Sequence, residues 1–392
     1  MGTGALGLGA RPLTGQTRPK GWAEREDVIM KCGFFHTPYI LPKRTPKQVF
    51  DWSLELAQVC DKAGFADFMI GEHYTLAWEN IPAPELVIAA AAPLTKNLRF
   101  APMAHLLPYH HPTRLANQVG WLSQILEGRY FAGFAPGGHH TDALTHGYDG
   151  VPDLFAPFSE ALELMEKVWD RKPFKYKGEY FNAGYPGEED FPGFPIEYAD
   201  NSPWQGKESL EIAVTGISAP SPTLKWAGSR NYSPISFFGG FAQMKSHWDT
   251  WSDAMIEAGH TPERSRFRTC RDIFIADSDA EAKRRALASG LADTWREYLF
   301  PIYKKFNLMQ GIIDDSGTGI HPNDVDENFL VEHVWVCGSP ETAIAKLERM
   351  AEKVGPWGMI VVNSHDNIDN PEPYFESLQR LASEVAPKVR MS

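Results

Sequence analysis

From Val28 onward, short apolar runs alternate with longer stretches in which apolar residues recur every three to four positions, the pattern of βαβ units on a parallel sheet. A strand at 29–35 leads to Thr45-Pro46, a hydroxyl cap followed by proline at the first helical position. The helix then carries Val49, Trp52, Leu56, Val59, Cys60 and Ala63 at helical spacing, stops at Gly64, and a strand at 66–70 follows at once. Read the same way, further strands fall at 98–103, 130–134, 211–215, 234–238, 266–275 and 358–363. Helices fall at 84–94, 113–126, 158–170, 222–228, 241–258, 278–306 and 340–353, with a terminal one after the last strand.

Two stretches break the rhythm. Residues 172–207, rich in Gly, Pro and Tyr, are too long for a connection and read as an excursion with a short hairpin; a second insertion, 307–332, holds the Gly- and Asp-rich break 311–326. Segment 333–337 either extends a strand or lies across the barrel end. One (β/α)8 TIM barrel with insertions, spanning 28–392, accounts for the pattern. Residues 1–27, rich in Gly, Arg and Pro with no continuous apolar run, read as an N-terminal arm available for oligomer contacts rather than a secretory signal.

Charge and composition narrow the partners. A net charge of −12, with no Lys/Arg cluster interleaved with aromatics, argues against nucleic acid and anionic membrane and for a small-molecule substrate. No apolar run reaches the length of a bilayer span. Cys32, Cys60, Cys270 and Cys337 are scattered and form no CxxC pair, so they read as reduced thiols of a cytoplasmic protein.

In such a barrel, chemistry collects where strands end. Gly71-Glu72-His73-Tyr74, with Trp78, follows the second strand. His105 and Tyr109-His110-His111 follow the third, and Pro136-Gly137-Gly138-His139-His140-Thr141-Asp142 the fourth. Three strand ends bearing histidine point to acid/base work or to metal, and each histidine also has a purely structural reading, with at least one member of each adjacent pair expected to be structural. The first strand ends Phe35-His36-Thr37 without the HxH pair that zinc barrels use, so no metal is expected. After the fifth strand, Thr215, Gly216 and Ser218, then Ser221 and Thr223 at a helix start, form a shape suited to a phosphate, with Gly137-Gly138 on its other side. Hydroxyls at a helix start are also ordinary caps.

Several runs together have a familiar order: Ala63-Gly64-Phe65 to Gly71-Glu72-His73, then LRFAPMAHLLPYHHPTR at 98–114, Glu127-Gly128-Arg129 to Gly137, and Cys337-Gly338-Ser339-Pro340-Glu341. They resemble the bacterial luciferase family of reduced-flavin monooxygenases, most closely its limonene monooxygenase-like branch. The resemblance covers most of 30–385. It implies a luciferase-like TIM barrel and a two-component monooxygenase, in which a separate NAD(P)H:flavin reductase supplies reduced FMN (FMNH2) and a C4a-peroxyflavin formed with O2 oxygenates a small organic substrate. It also implies a homodimer or homotetramer.

Carried over by position, the family's catalytic histidine matches His73. The segment beneath the isoalloxazine ring, often a non-prolyl cis peptide, matches Met103-Ala104. Thr215, Gly216, Ser218, Ser221 and Thr223 fall in the family's phosphate-binding stretch; Gly137 and Gly138, from the turn facing it, and His139 complete the cofactor-binding candidates. Tyr74, Trp78, His105 and Tyr109 are the substrate-side candidates, with 311–326 as a lid. Two departures stand out: Pro136 replaces an arginine that contacts the flavin phosphate in luciferase itself, and Tyr74 replaces a second His of many relatives. No glycine-rich dinucleotide fingerprint lies on a βαβ unit, which agrees with a separate reductase. Within the same superfamily, a flavin- or deazaflavin-dependent dehydrogenase or reductase and a non-catalytic flavin-binding protein are the alternatives; on another footing, a metal-dependent hydrolase is a third.

Overall fold

Eight parallel strands form a ring: β1 (Lys31–Tyr39), β2 (Asp67–Ile70), β3 (Arg99–Pro102), β4 (Ala132–Ala135), β5 (Ile212–Gly216), β6 (Ser233–Ser236), β7 (Arg268–Arg271) and β8 (Met359–His365). This computed structural model describes residues 30–149, 153–194, 201–203, 210–237 and 239–391; the N-terminal arm expected at 1–27 lies outside them. Each strand occupies one of the expected apolar runs, so the (β/α)8 reading holds.

The local signals act as read. Thr45 and Gln48 form a reciprocal capping box at the start of helix α1 (Pro46–Ala63), and Gly64, at φ 88°, ends it. The following helices of the ring are α2 (Pro84–Ala91), α3 (Pro112–Leu126), α4 (His140–Thr145), α5 (Phe155–Trp169), α6 (Pro222–Ser229) and α7 (Phe241–Glu257). An antiparallel hairpin, Phe174–Lys177 with Asn182–Tyr185, occupies the first insertion as expected.

Closure depends on the third strand. β3 pairs with β2; beyond the cis peptide Met103-Ala104 the same chain, His105–Leu106, pairs instead with Phe134 and Ala135 of β4. A parallel bridge, Phe100 with Tyr130, completes the seam. The strand expected at 98–103 is β3, and a second short piece just beyond it faces a different neighbour.

Two expectations are corrected. The run 266–275 leaves the barrel at Asp272, and Ile273–Ile275 pairs in parallel with Val336–Gly338 in a separate two-stranded sheet. Asp272 is the cause: its buried carboxylate accepts from Trp295 Nε1 (2.7 Å) and Asn363 Nδ2 (3.1 Å) and lies 3.1 Å from His365 Nε2, which turns the chain away. The helix expected at 278–306 is broken. Ser289 recaps at Gly290, whose Cα packs so closely on the Asp366 backbone that a Cβ would lie 1.8 Å from its carbonyl oxygen, and a π-turn follows at Trp295–Leu299.

Inside the ring, alternate residues Phe35, Met69, Ala101, Met103, Phe131, Ala213, Ile235, Cys270, Met359 and Val361 form an apolar column. Its amino-terminal end is closed by charge. Arg268 pairs with Asp67 (2.9 Å) and Glu211 (2.8 Å), Arg99 with Glu211 (2.5 Å), and both guanidiniums lie against the Phe131 ring. The opposite end carries the site.

Candidate active site

Two carboxylates organise the mouth of the barrel. Glu72, just past β2, is buried; its Oε2 lies 2.8 Å from His105 Nδ1 and its Oε1 2.7 Å from His110 Nε2, and Tyr74 Oη donates to it at 2.6 Å. An ionised carboxylate only accepts, so each facing ring nitrogen carries a hydrogen. Burial opposes ionisation of Glu72, but the bonds from His105 and His110 outweigh it and hold the carboxyl well below its usual range.

Asp142, in α4, is the second. It accepts from the Thr75 amide (2.8 Å), the Thr75 hydroxyl (2.6 Å) and the Tyr74 amide (3.2 Å), and lies 3.1 Å from His73 Nδ1. On the other side, His73 Nε2 is 3.3 Å from Glu79 Oε2. Burial alone would drive a proton off this ring; the Asp142 hydrogen bond and the charges of Glu79 and Asp142 raise its pKa instead. Both ring nitrogens of His73 thus face carboxylate oxygens, an arrangement that favours the imidazolium form. His139 stands perpendicular to it, centroids 4.8 Å apart, and is pushed the other way by burial and by the His73 charge. The two neighbouring rings are thus shifted in opposite directions, His73 toward its charged form and His139 toward its neutral one.

Most of the candidates named from sequence meet here. Tyr74 contacts Tyr109 edge-on at 6.2 Å, and Gly137, at φ 94°, approaches Tyr109 so closely that a Cβ would lie 2.7 Å from its hydroxyl. Met103 and Ala104 are buried at the top of the apolar column, joined by a non-proline cis peptide. Gly133 of β4 makes room for them: a Cβ there would lie 2.2 Å from the Pro102 carbonyl and 2.8 Å from Met103 Sδ. In both histidine pairs the first member, His110 or His139, joins the cluster, whereas His111 and His140 are exposed at helix starts.

Some candidates sit differently. His105, expected on the substrate side, is 1% exposed and enclosed with Glu72, because a buried carboxylate needs its donors. Thr215 and Gly216 end β5 and Ser218 follows them, and among the described residues none is hydrogen-bonded to His73, His105, His110 or His139. Thr223 Oγ1 donates to the Thr215 carbonyl and Ser221 caps α6, so those two hydroxyls have the ordinary capping role; Ser218 is exposed. The 311–326 segment is ordered by the short helix Met309–Ile313 and two 3-10 turns.

Glu79 and Tyr298 went unnoticed in the sequence. Tyr298, in the π-turn, donates to Glu79 at 2.6 Å and stacks on Trp78 (5.5 Å, 13°). A partner 219 residues away leaves no local pattern, although Glu79 and its neighbour Trp78 follow His73 closely enough to be suspected. Glu72/His105/His110 and His73/Glu79/His139 also each bring three ligand-type atoms within 4.8 Å. In the first group Glu72 already accepts from both rings at 2.7–2.8 Å, and a metal at about 2.1 Å would replace those hydrogen bonds; in the second, His73 Nε2 lies 3.3 Å from Glu79 Oε2.

The mouth also suits a flat heterocycle with a polar rim. Phe35 and Phe237 meet edge-on (5.6 Å) above the apolar column, while Thr37 Oγ1, Tyr109 Oη and Asn363 Oδ1 are buried without a hydrogen-bond partner among the described residues. An apolar floor with two hydroxyls free to donate and one amide oxygen free to accept offers what a tricyclic ring with carbonyl and N–H edges requires.

Comparison with known proteins agrees. Residues 30–356 match the family model described as luciferase-like monooxygenase. The chain is 70% identical to 2,5-diketocamphane 1,2-monooxygenase 1 of Pseudomonas putida, over 92% of this chain and 100% of that one. It is 25% identical to limonene 1,2-monooxygenase of Rhodococcus erythropolis, over 85% of this chain and 80% of that one. Among solved structures it superposes, with a TM-score of 0.88 and 45% identity over 93% of this chain and all of the other, on the oxygenating constituent of 3,6-diketocamphane monooxygenase from the CAM plasmid of P. putida, described as a type II Baeyer-Villiger monooxygenase in complex with FMN.

Proposed function

Since this chain belongs to the luciferase-like monooxygenase family, we propose that it is the oxygenating component of a two-component, FMN-dependent Baeyer-Villiger monooxygenase acting on a bicyclic ketone of the diketocamphane type. It is a flavin-dependent monooxygenase, and FMN is its cofactor. Reduced FMN, delivered by a separate NAD(P)H:flavin reductase, supplies two electrons and the position at which O2 is activated, one oxygen atom entering the ring of the product lactone and the other leaving as water.

The chain's residues bind, aim and exclude water. Met103 and Ala104, with the apolar column beneath them, carry the ring, and Thr37, Tyr109 and Asn363 offer their unpartnered atoms to its polar rim. Gly137, Gly138, His139, Thr215, Gly216 and Ser218 serve the ribityl phosphate end, where Gly138 is unobstructed and Ser218 exposed. Tyr74, Trp78 and Tyr109 face the ketone. His105 acts through Glu72, as a positioning residue.

His73 carries the reading. A cation fixed between Asp142 and Glu79 stabilises negative charge developing on oxygen, and its contact to Glu79, the longer of the two, is the one a ligand can compete for. Replacing His73 with Ala is expected to leave FMN binding within about twofold while cutting product formed per reduced FMN by roughly 10²-fold. Full coupled activity in that variant removes His73 from the mechanism. Oxygen-independent turnover of an alcohol would favour the dehydrogenase alternative.

Leu86, Trp121 and Ile125 are each more than half exposed on α2 and α3, which Gln118 and Glu85 link, and this apolar face supports a homodimer or homotetramer. All four cysteines are free and buried, which supports the cytoplasmic reading.

A further inference from the structure

Arg271 is a buried cation outside the active site. It ends β7 between the inward-facing Cys270 and Asp272, so its own side chain leaves the barrel toward α7. It is 95% buried. Nη1 donates to the Cys270 carbonyl (2.7 Å) and Nη2 rests on the Met244 sulfur, and among the described residues no carboxylate forms an ion pair with it.

Arg271 lines a cavity of about 100 Å³, several times what one water needs, together with Lys346, Arg349, Asp315 and the Gly239-Gly240 turn. Lys346 donates to the carbonyls of Val331 (2.8 Å) and Trp335 (3.0 Å) and, among the described residues, likewise has no acidic partner. Arg349 stands exposed at the mouth, and Glu332 on the rim is engaged by Lys283 (3.0 Å).

The same cavity receives the start of α7. This 17-residue helix has Gly240 as its cap with no side-chain cap bond, so the amides of Phe241, Ala242 and Gln243 lack helical acceptors. Asp315 Oδ2 takes the Phe241 amide at 2.5 Å. Gly240 allows that approach, since a Cβ there would lie 1.9 Å from the Gly311 carbonyl.

Three cations and the positive end of a helix thus face Asp315 and a rim carboxylate, Glu332, that is already paired with Lys283. A buried charge without a counter-charge is strongly unfavourable, and a helix start beside a guanidinium is the ready-made complement of an oxyanion. We propose that this cavity binds a phosphate group, as inorganic phosphate or a phosphate monoester, through Arg271, Lys346, Arg349 and the first amides of α7, and that Asp315 occupies its place when it is absent. The site is separate from the Thr215–Ser218 turn. That turn meets a different face of α7, where Gln243 Nε2 reaches the Ile217 carbonyl (2.6 Å) and His247 Nε2 lies 2.8 Å from the Ser218 carbonyl.

Isothermal titration of the full chain with inorganic phosphate, in phosphate-free buffer of low ionic strength, tests this. Saturable one-to-one binding is expected, weakened about tenfold or more by Arg349→Gln and tightened about tenfold by Asp315→Asn, which keeps a cap for Phe241 but removes the competing charge. Repeating the titration with saturating FMN, and with riboflavin as control, separates the sources. Unchanged phosphate binding identifies a second phosphate-bearing ligand; displacement by FMN but not by riboflavin identifies the flavin's own phosphate. Unsaturable heats, or an affinity that neither substitution moves, overturn the proposal.

Discussion

Replacing Asp142 with Asn probes the electrostatics of the mouth at one atom. The side chain keeps its shape and can still accept from the Thr75 amide, but it loses the charge that faces His73. Burial opposes ionisation of Asp142, yet the bonds from His73 and Thr75 hold its carboxyl at about 2, against an ordinary value of 3.8. A displacement of that size is worth about 2 kcal/mol of folding stability. Because the folded value is the lower one, this stabilisation is complete above about pH 4 and is lost as the pH falls through about 2. His73 has the opposite sign. Its folded value is raised above 6.5, so its contribution is complete below that pH and disappears as the pH rises through the folded value. The pair is strongest between about pH 4 and 6.5. Urea unfolding followed by tryptophan fluorescence should therefore show Asp142→Asn less stable by about 2 kcal/mol at pH 5.5 and by distinctly less at pH 9. In parallel, the NMR titration midpoint of the His73 ring should fall in the variant. An equal loss at both pH values, with an unmoved His73 midpoint, would refute the clamped imidazolium.

Other substitutions read other parts of the structure. Glu72→Gln cannot accept from His105, His110 and Tyr74 at once, and calorimetry should find it less stable by about 3 kcal/mol. Gly133→Ala would drive a methyl group into the Pro102 carbonyl and Met103; quenching of flavin fluorescence should report FMN binding at least about tenfold weaker with the circular dichroism unchanged. Arg268→Met leaves Arg99 alone to serve both Asp67 and Glu211 and should cost about 3 kcal/mol at pH 7. In the native chain, burial of Glu211 is outweighed by Arg268 and Arg99, which hold it well below its usual range; without Arg268 its protonation becomes easier, so the deficit should shrink toward pH 4.

What could be read from the chain alone follows the range of each interaction. Thr45, Pro46, Gln48 and Gly64 bracket α1 because caps act within a few residues, and the eight apolar runs became the eight strands because alternation records which side faces the core. The flavin-side segment at Met103-Ala104 came from ordered motifs rather than from periodicity. Periodicity does not record partners. The apolar run 266–275 looks continuous, and only the meeting of Asp272 with Trp295, Asn363 and His365 ends the barrel strand there. The 278–306 stretch keeps helical spacing through Ser289-Gly290, where close packing on Asp366 breaks it. At the site, His73 stood out as a residue type. Its two carboxylates, six and 69 positions away, were fixed by tertiary contacts, and the order within each histidine pair depended on helix entry angles.

The charged layer of Asp67, Arg99, Glu211 and Arg268 makes the barrel a vessel with a single door. The charged layer closes the base, so whatever reaches the apolar column enters and leaves by the mouth. Traffic then has to queue. Under the proposed function, what rests on the buried Met103 and Ala104 is expected to arrive before what rests against the partly exposed Tyr74 and Trp78 and to leave after it.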